Sequence, residues 1–419
     1  MPLATVERTG MKRRLGKMKN TASRQLSKLI FLSRRWPLYS YINYLETLLA
    51  NIELYEGIST SNTQLAWGSL WGNRIKHVLM VAVKDYSGSL YKWTQAINNH
   101  TDWAARMITF SRHQYGYNTD IVLPPGSLPV LGGQIGSIYD RITKLIAESR
   151  IIHFKDEQVL FNGLMKSETN YELLNFIFKK AKELNKKTVF TTYGGYQRKY
   201  KDDKNYRQFT KSFDLRIAMT PDLNYQWFNG VYIPHSIEIS EFPYLWNDGH
   251  LVAHSPTTTA RKGTEAFLHA CEKIPNIKVD IINNVSYTEC LERKKKATLF
   301  FDQAGREQQA TMGCNDEIGW YGNSAIEAMA FGIPTIAYLS LSAFEGARRG
   351  GQDISKRCPV INTKCEDEEA IHSTIQAYFR KTSEERHELS LQSRAWIESF
   401  HGNSIIAKTL VKEYESLST

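Results

Sequence analysis

Short apolar runs rich in β-branched residues alternate with amphipathic stretches from residue 75 to the end of the chain. This alternation is typical of βα units, in which helices connect parallel strands. In the first half we predict strands at 75–83, 105–110, 149–154, 187–193 and 214–219. The pattern begins again in the second half, with predicted strands at 250–255, 277–282, 297–302, 334–339 and 359–362. The repetition favours two doubly wound α/β domains.

The length of the chain supports the same division, because one compact core rarely grows beyond about 300 residues and this chain has 419. A segment rich in Pro, Asn and Gly at 235–249 predicts a hinge between the two sets of strands. We expect a basic N-terminal extension at 1–74 and Rossmann-like domains at 75–240 and 241–400. A helix at about 401–419 is expected to pack back on the first domain. Ligands of such domains bind in the cleft at the carboxyl ends of the strands.

Positive charge is concentrated near the N terminus. The formal net charge of the whole chain is +10, and residues 8–35 contain ten Lys or Arg residues and no acidic residue. Apolar side chains in the same region recur at helical spacing, which predicts a basic amphipathic helical extension. Such a segment can lie on an anionic membrane surface or follow the phosphates of a nucleic acid. Packing on its own domain or on a second subunit is the alternative, and the oligomeric state stays open.

The sequence favours a cytoplasmic protein. It contains no uninterrupted apolar stretch of the roughly 18 to 20 residues that a membrane-spanning helix requires. The basic N-terminal segment is not followed by the apolar region and cleavage site of a signal peptide. The five cysteines show no C-x-x-C spacing, which fits reduced thiols. Peripheral attachment to the inner face of the membrane is one role open to the basic extension.

The stretch GWYGNSAIEAMAFGIPTIAYL at 319–339 predicts a turn, a helix and a strand. The turn consists of Tyr321, Gly322, Asn323 and Ser324, and backbone N–H groups at the start of the helix can bind an anionic diphosphate. Glu327, about one helical turn later, can accept hydrogen bonds from vicinal sugar hydroxyls. An ordinary helix with a surface Glu is the alternative interpretation, and the length of the motif disfavours it.

This stretch resembles the retaining glycosyltransferases of the type B architecture, which have two Rossmann-like domains, and specifically family 4. Segments 151–157, 191–200 and 253–270 match further parts of the family pattern, and the resemblance covers about residues 76–419. It implies a hexosyltransferase-type enzyme that moves a sugar from a nucleotide-diphosphate sugar to an acceptor hydroxyl with retention. A glycan or a lipid-linked saccharide is the acceptor that we expect.

The resemblance also implies roles for residues of the second domain. Glu327 matches the second Glu of the family's E-x7-E motif, which contacts the ribose of the donor. The first Glu of that motif falls at Gly319, so Glu317 or Asp316 would have to supply a carboxylate. Asp302 ends a predicted strand at the cleft edge, where it would lie near the acceptor or the sugar or simply cap a turn.

Lys262 matches the family lysine that neutralises the donor diphosphate. The arginine that normally precedes it by about five residues is absent, because Thr257 stands there. Arg261 or the hydroxyls of Ser255, Thr257 and Thr258 would substitute. A solvated helix start is the alternative interpretation of Lys262 and Arg261.

In the first domain, Gly88 and Ser89 lie in a βα turn that allows close backbone approach to a donor phosphate. A simple loop is the alternative. The resemblance places His153 in the active site, although a histidine in an apolar strand is more often a core residue. Gly194, Gly195 and Arg198 match family positions near the acceptor or the donor sugar.

The implied mechanism concentrates fixed donors and cations around the departing diphosphate. We predict Lys262, Arg261 and His153 as catalytic residues. The sequence requires no cofactor and no metal ion, since the nucleotide sugar is a substrate and no Asp-x-Asp pair is present. Two other functions stay open: a transferase that glycosylates modified bases in DNA, and a non-catalytic module that binds a sugar nucleotide.

Overall fold

The computed structural model describes residues 71, 74–85, 87–110, 120–123, 134–155, 161, 172–192, 194–305 and 317–417. The predicted basic segment at 8–35 lies outside these residues, and so does Asp316. Within the described ranges, no helix combines the length and apolar character needed to cross a bilayer.

The first domain contains a parallel sheet of seven strands. These are β1 (Lys76–Ala82), β2 (Trp103–Thr109), β3 (Ile121–Val122), β4 (Ile151–Lys155), β5 (Lys187–Thr192), β6 (Leu215–Ala218) and β7 (Val231–Tyr232). Their order is β3-β2-β1-β4-β5-β6-β7. The helices are α1 (Ser89–His100), α2 (Gln134–Glu148), α3 (Glu172–Glu183), α4 (Gly195–Lys199) and α5 (Lys204–Thr210). A 3₁₀ turn, Pro221–Leu223, follows β6.

Successive side chains of β1 point to opposite faces of this sheet, as the period of a strand requires. Leu79 and Val81 belong to a core that also contains Ile142 of α2. Val78 and Met80 belong to a second core with Trp93 of α1. Because both faces are covered by helices, β1 is apolar along most of its length, which is typical of a parallel strand.

The second domain contains a parallel sheet of five strands. These are β8 (Leu251–His254), β9 (Lys278–Ile281), β10 (Leu299–Phe301), β11 (Thr335–Tyr338) and β12 (Ile361–Thr363). Their order is β12-β11-β10-β8-β9. The helices are α6 (Thr259–Lys262), α7 (Thr264–Glu272), α8 (Tyr287–Lys294), α9 (Asn323–Ala330), α10 (Leu341–Arg349), α11 (Glu368–Phe379) and α12 (Ser383–Trp396). Leu299 and Phe301 pack in one core with α7 and α11, and Phe300 packs in another with α9.

The chain crosses between the domains twice. Residues 233–249 lead from β7 to the second sheet, and a π-helical segment, Ile397–His401, leads back to α13 (Asn403–Ser416). The two crossings meet at an isolated parallel bridge between Ile237 and Gly402. Leu410 and Tyr414 of α13 then join the same core as Trp93 of the first domain. The last helix is therefore part of the first domain by packing, although it follows the second in sequence.

All ten predicted strands are present, and the two-domain α/β fold class is confirmed. The prediction missed β3 and β7, which are two residues long each. Two residues do not establish a recognisable period, and both strands lie at the outer edges of the first sheet, where a strand needs only one neighbour.

Candidate functional site

Loops at the carboxyl ends of the two sheets contact each other. The turn after β1 reaches α9, where Asn323 Nδ2 donates to the backbone oxygen of Ser87 at 3.1 Å. The 3₁₀ turn after β6 reaches the loop before α9, where the Gly319 N–H donates to Asp222 Oδ2 at 3.1 Å. We call the region between these loops the cleft, and it lies where ligands of doubly wound sheets bind.

Four pairs of opposite charge lie at the cleft, and we call them the cleft ion pairs. The first domain supplies Lys155–Asp85 and Arg198–Asp222, and the second supplies Lys262–Asp302 and Lys294–Glu327. Seven of the eight side chains are at most 9% exposed, and Lys262 is 20% exposed. Charges are rarely buried unless they are paired, so each pair fixes the conformation of the loop or helix end that carries it.

Asp302 connects Lys262 to the start of α9. Its Oδ1 accepts from Lys262 Nζ at 2.9 Å, and its Oδ2 accepts from the Gly322 N–H at 2.8 Å. Gly263, with a φ of +69°, separates α6 from α7. Lys262 therefore ends the single helical turn α6 and does not open the longer helix α7. The left-handed φ at Gly263 explains the break, because a continuous helix needs a negative φ.

Glu327 is buried in a network that also holds the first turn of α9. Its Oε2 accepts from Lys294 Nζ at 2.6 Å, and its Oε1 accepts from the Tyr287 hydroxyl at 3.2 Å. Lys294 also donates to Ser324 Oγ at 2.7 Å, and Ser324 Oγ lies 2.5 Å from Ser255 Oγ. Both carboxylate oxygens of Glu327 therefore already have partners within the protein, which its position in the sequence does not reveal.

Burial alone would raise the pKa of Glu327, but the nearby charges of Lys294 and Lys92 hold that pKa below its ordinary value. Lys92 lies on α1 of the first domain, so the field at Glu327 comes from both domains. The ionised carboxylate keeps further lone pairs, and these can accept hydrogen bonds from sugar hydroxyls.

The turn after β1 contains a glycine in the left-handed conformation. Gly88 has a φ of +64° and precedes α1, which begins at Ser89. Ser89 Oγ accepts from Lys155 Nζ at 2.5 Å, and Lys155 also pairs with Asp85. Burial would raise the pKa of Asp85, and the charge and hydrogen bond of Lys155 lower it overall. The turn is thus fixed by a buried cation from the end of β4.

His153 does not line the cleft, which corrects its predicted catalytic role. Its side chain is fully buried under α13, with Nδ1 2.7 Å from the Tyr414 hydroxyl and Nε2 2.5 Å from Thr191 Oγ1. Burial, with a smaller effect of Lys155, lowers the pKa of His153 to about 3. The ring is therefore neutral at physiological pH and bonded at both nitrogens, so it has the properties of a core histidine.

Arg198 is buried on α4, where its Nη2 donates to Asp222 Oδ2 at 2.5 Å. Its partner Asp222 also binds the Gly319 N–H, so this predicted sugar contact instead lies in a bridge between the domains. Gly195 is buried at the start of α4, and Gly194 precedes it with an extended φ of 176°. A side chain at Gly194 would meet no atom within 4 Å, so neither space nor backbone requires glycine there.

The remaining predicted residues differ in exposure. The Tyr321 hydroxyl is buried between Trp396 Nε1 and His401 Nε2, each at 2.9 Å, so its side chain belongs to the core and not to a ligand surface. Glu317 is exposed and accepts from the Tyr338 hydroxyl at the end of β11. Thr257 is exposed and Arg261 is half-buried.

Most predicted residues of the second domain therefore belong to two linked groups at the start of α9. Lys262, Asp302 and Gly322 form one group, and Ser255, Ser324 and Glu327 form the other. Sequence reasoning assigned no role to Lys294, Asp85 or Asp222. Asp85 and Asp222 follow strand ends, which was a usable signal, but nothing in the sequence marks Lys294. In the described ranges, no three His, Cys, Asp or Glu side chains are arranged to hold a metal ion.

Comparison with known proteins gives matches to solved structures alone. No protein-family model matches the sequence, and no curated protein matches it. The structure is similar to Anabaena HepE solved with UDP and glucose, at 12% identity and a TM-score of 0.55, covering 81% of this chain and 100% of HepE. It is also similar to an alpha-glucosyltransferase solved with UDP and a 13-mer DNA containing an HMU base. That match has 12% identity and a TM-score of 0.51, and it covers 83% of this chain and 100% of the other.

A third match is the N-terminal domain of Candida albicans trehalose-6-phosphate phosphatase, at 11% identity and a TM-score of 0.51. It covers 82% of this chain and 97% of that domain. At these identities the matches establish a shared fold. The described chain has the two-domain fold of the type B glycosyltransferases, with two parallel Rossmann-like sheets facing one cleft.

Proposed function

We propose that this protein is a glycosyltransferase that binds a nucleotide-diphosphate sugar at the start of α9. The observation that carries the proposal is the pair of linked groups there, which contain a helix N-terminus, two lysines and an ionised glutamate. Helix N-termini and lysines bind phosphate oxygens, and a carboxylate accepts hydrogen bonds from hydroxyls. Together these groups match the diphosphate and the ribose, which every nucleotide-diphosphate sugar contains.

The residues have distinct roles in this proposal. Lys262 and the first N–H groups of α9 bind the diphosphate, and Glu327 accepts from the ribose. As the glycosidic bond breaks, negative charge grows on the diphosphate oxygen, and fixed cations and N–H groups stabilise that charge. Asp302 is a positioning residue, since it holds both Lys262 and the Gly322 N–H. Arg261, on the same short helix as Lys262, is a second candidate cation.

Transfer with retention follows if the acceptor hydroxyl attacks from the face that the diphosphate leaves. The departing phosphate oxygen then takes the proton of the acceptor, and no separate general base is needed. This mechanism needs no proton transfer to His153, which is neutral and buried away from the cleft under α13. UDP is the nucleotide that we test first, because HepE and the alpha-glucosyltransferase were solved with it.

For the acceptor, we propose a glycan or a lipid-linked saccharide, with the basic segment at 8–35 as a membrane contact. DNA is the second candidate, favoured by the ten positive charges of that segment and by the DNA in the alpha-glucosyltransferase structure. Binding and transfer assays distinguish these two kinds of acceptor. They use duplex DNA with and without hydroxymethylated bases at several salt concentrations. Salt-sensitive binding and base glycosylation would favour DNA, since phosphate contacts release counterions.

The decisive first experiment is a thermal-shift screen of the full chain with UDP, GDP, ADP and CMP. A ligand that binds the native state raises its melting temperature, by mass action. A UDP-dependent shift that Glu327→Gln weakens would support the proposal, and the same variant should lose transfer activity. Glu327→Gln is preferable to Glu327→Ala, because truncation would leave Lys294 buried without its partner. No shift with any nucleotide would contradict the proposed function.

Donor binding without transfer to any acceptor would instead support the non-catalytic module. Product analysis with a radiolabelled sugar nucleotide and an extract of glycans, lipids or DNA makes that distinction.

A further inference from the structure

One carboxylate of the cleft ion pairs differs from the other three. Both oxygens of Asp85, Asp302 and Glu327 accept hydrogen bonds from side chains or backbone N–H groups. Asp222 Oδ2 also has two donors, Arg198 Nη2 and the Gly319 N–H. Asp222 Oδ1, by contrast, is buried and has no hydrogen-bond partner among the described residues. Seven of these eight oxygens are therefore bonded within the protein, and one is not.

Burial makes this oxygen informative. Asp222 is only 8% exposed, and a buried polar atom without a partner is costly, because it loses water and gains no bond. Native proteins rarely keep such an atom unless a ligand or a bound water completes it. Thr220 Oγ1, two residues earlier on the same turn, is also buried without a partner in the described part of the chain. Two polar groups of this turn thus have capacity for further hydrogen bonds.

The turn lies at the cleft and touches the second domain. Asp222 follows β6 at its carboxyl end, and it contacts Gly319, which is eight residues before Glu327. The contact leaves no room for a side chain at Gly319. A Cβ there would lie 2.1 Å from Ser340 Oγ and 3.4 Å from Asp222 Cβ. Separation of the domains at this contact would open Asp222 Oδ1 to a ligand, and closure would seal it again.

The chemistry of the oxygen selects the ligand. An ionised carboxylate only accepts hydrogen bonds, so its partner must be a donor. Arg198 already supplies the opposite charge, which removes the need for a cationic ligand, and the negative carboxylate disfavours a phosphate. A neutral hydroxyl fits both conditions. We propose that Asp222 Oδ1 accepts a hydrogen bond from a hydroxyl of the sugar that the donor carries.

This inference rests on the proposed function, since the sugar must arrive as part of a nucleotide sugar. The test compares a UDP-sugar with UDP, two ligands that differ only in the sugar. The UDP-sugar is UDP-glucose, or another one if it binds the parent more tightly. Isothermal titration gives both affinities for the parent and for Asp222→Asn. We expect the variant to bind the UDP-sugar about tenfold more weakly, because a charge-assisted hydrogen bond is lost. Its affinity for UDP should change less than about twofold.

A second variant covers the case in which Asp222→Asn does not fold. Asp222→Glu keeps a carboxylate for Arg198 and Gly319 but displaces the other oxygen by one methylene, and it should cause the same selective loss. Asp214→Asn is the matched control. Asp214 directly precedes β6, at the amino ends of the strands and so away from the cleft. There it accepts hydrogen bonds from the N–H and the hydroxyl of Thr188. The control should leave the ratio of the two affinities unchanged.

The possible outcomes are distinguishable. Equal losses for UDP and the UDP-sugar would show that Asp222 only holds the domains together, and unchanged affinities would show that a bound water completes Oδ1. Either result overturns the inference. If the parent protein binds no nucleotide, the proposed function itself fails, and that failure is visible before any variant is made.

Discussion

The two sides of the cleft use buried charge differently. In the first domain, the side chains of Lys155 and Asp85 are at most 1% exposed, and those of Arg198 and Asp222 are at most 5% exposed. In the second domain, Lys262 remains 20% exposed, and its partner Asp302 also binds the first N–H of the helix at which we place the diphosphate. Complete burial suits a charge that fixes a loop, whereas partial exposure leaves a charge able to meet a ligand. Apart from Asp222 Oδ1, the first side is therefore mainly a scaffold, and Lys262 on the second side is the most exposed side chain of the four cleft ion pairs.

Removing the first-domain cation should have the largest effect on stability. Lys155→Met leaves the buried Asp85 carboxylate without its cation, and breaking a buried pair in this way costs about 3–5 kcal/mol. Urea unfolding monitored by circular dichroism measures the loss. Lys180→Met is the matched control, because Lys180 forms an exposed pair with Glu183 on α3, and we expect it to cost less than about 1 kcal/mol. Similar losses for both variants would contradict the division of roles.

Acid should destabilise both domains through buried histidines. Burial lowers the pKa of His153 to about 3, and it lowers those of His254 and His401 to about 4. The unfolded chain binds protons near pH 6.5 and the folded protein does not. The stability from each neutral ring is therefore fully present above about pH 6.5 and is lost as the pH falls toward the folded value.

The expected slope is at most about 1.4 kcal/mol per pH unit for each histidine. Urea unfolding at pH 7, 6 and 5 measures the slope, and His153→Gln should lower it by the part that His153 contributes. An unchanged slope in that variant would mean that His153 is not the neutral, buried group that the structure shows.

Removing the exposed second-domain cation should affect binding more than folding. Lys262→Ala is expected to weaken UDP binding by about 10- to 100-fold, the range for losing one charge-assisted contact to phosphate. Its unfolding free energy should fall by less than that of Lys155→Met, because Lys262 is 20% exposed and water can enter beside the buried Asp302 when the lysine is removed. Lys273→Ala, which removes an exposed lysine at the C-terminal end of α7 that pairs with Glu368 of α11, is the control and should bind UDP as the parent does. Titration calorimetry gives both affinities.

The smallest effect is expected at the glycines of the first domain. Gly88→Ala places a side chain at a φ of +64°, which costs about 1–2 kcal/mol. Gly194→Ala should cost less than about 0.5 kcal/mol, because its φ is extended and no atom lies near its Cβ. Thermal unfolding of the two variants distinguishes a glycine required by backbone geometry from one that is not. Equal stability would show that the turn after β1 can adopt another conformation.

The sequence predicted the local features of the site well. The ten strands follow from runs of apolar, β-branched residues, and the βα turn that contains Gly88 and Ser89 lies where the sequence predicts it. The start of α9 near Asn323 follows from the turn before an amphipathic run. Each of these depends on residues that are close in sequence, so the printed order of amino acids contains the necessary information.

The errors share one physical cause. His153 is covered by Tyr414, which is 261 residues away, and Glu327 is neutralised by Lys294, which lies 33 residues earlier on another helix. The partner of Arg198 binds Gly319, almost 100 residues later. A single sequence carries no record of such neighbours, because they meet only after both sheets and the returning helix α13 have packed.

The sequence by itself determined two α/β domains, their strands and the helix start at which a diphosphate is expected, since periodicity and turn chemistry are local. Tertiary structure alone decided which charges are neutralised and buried, which histidine is a core residue, and which carboxylate oxygen stays unbonded. Burial and pairing depend on the distances between residues that are remote in the chain, and those distances exist only in the folded protein.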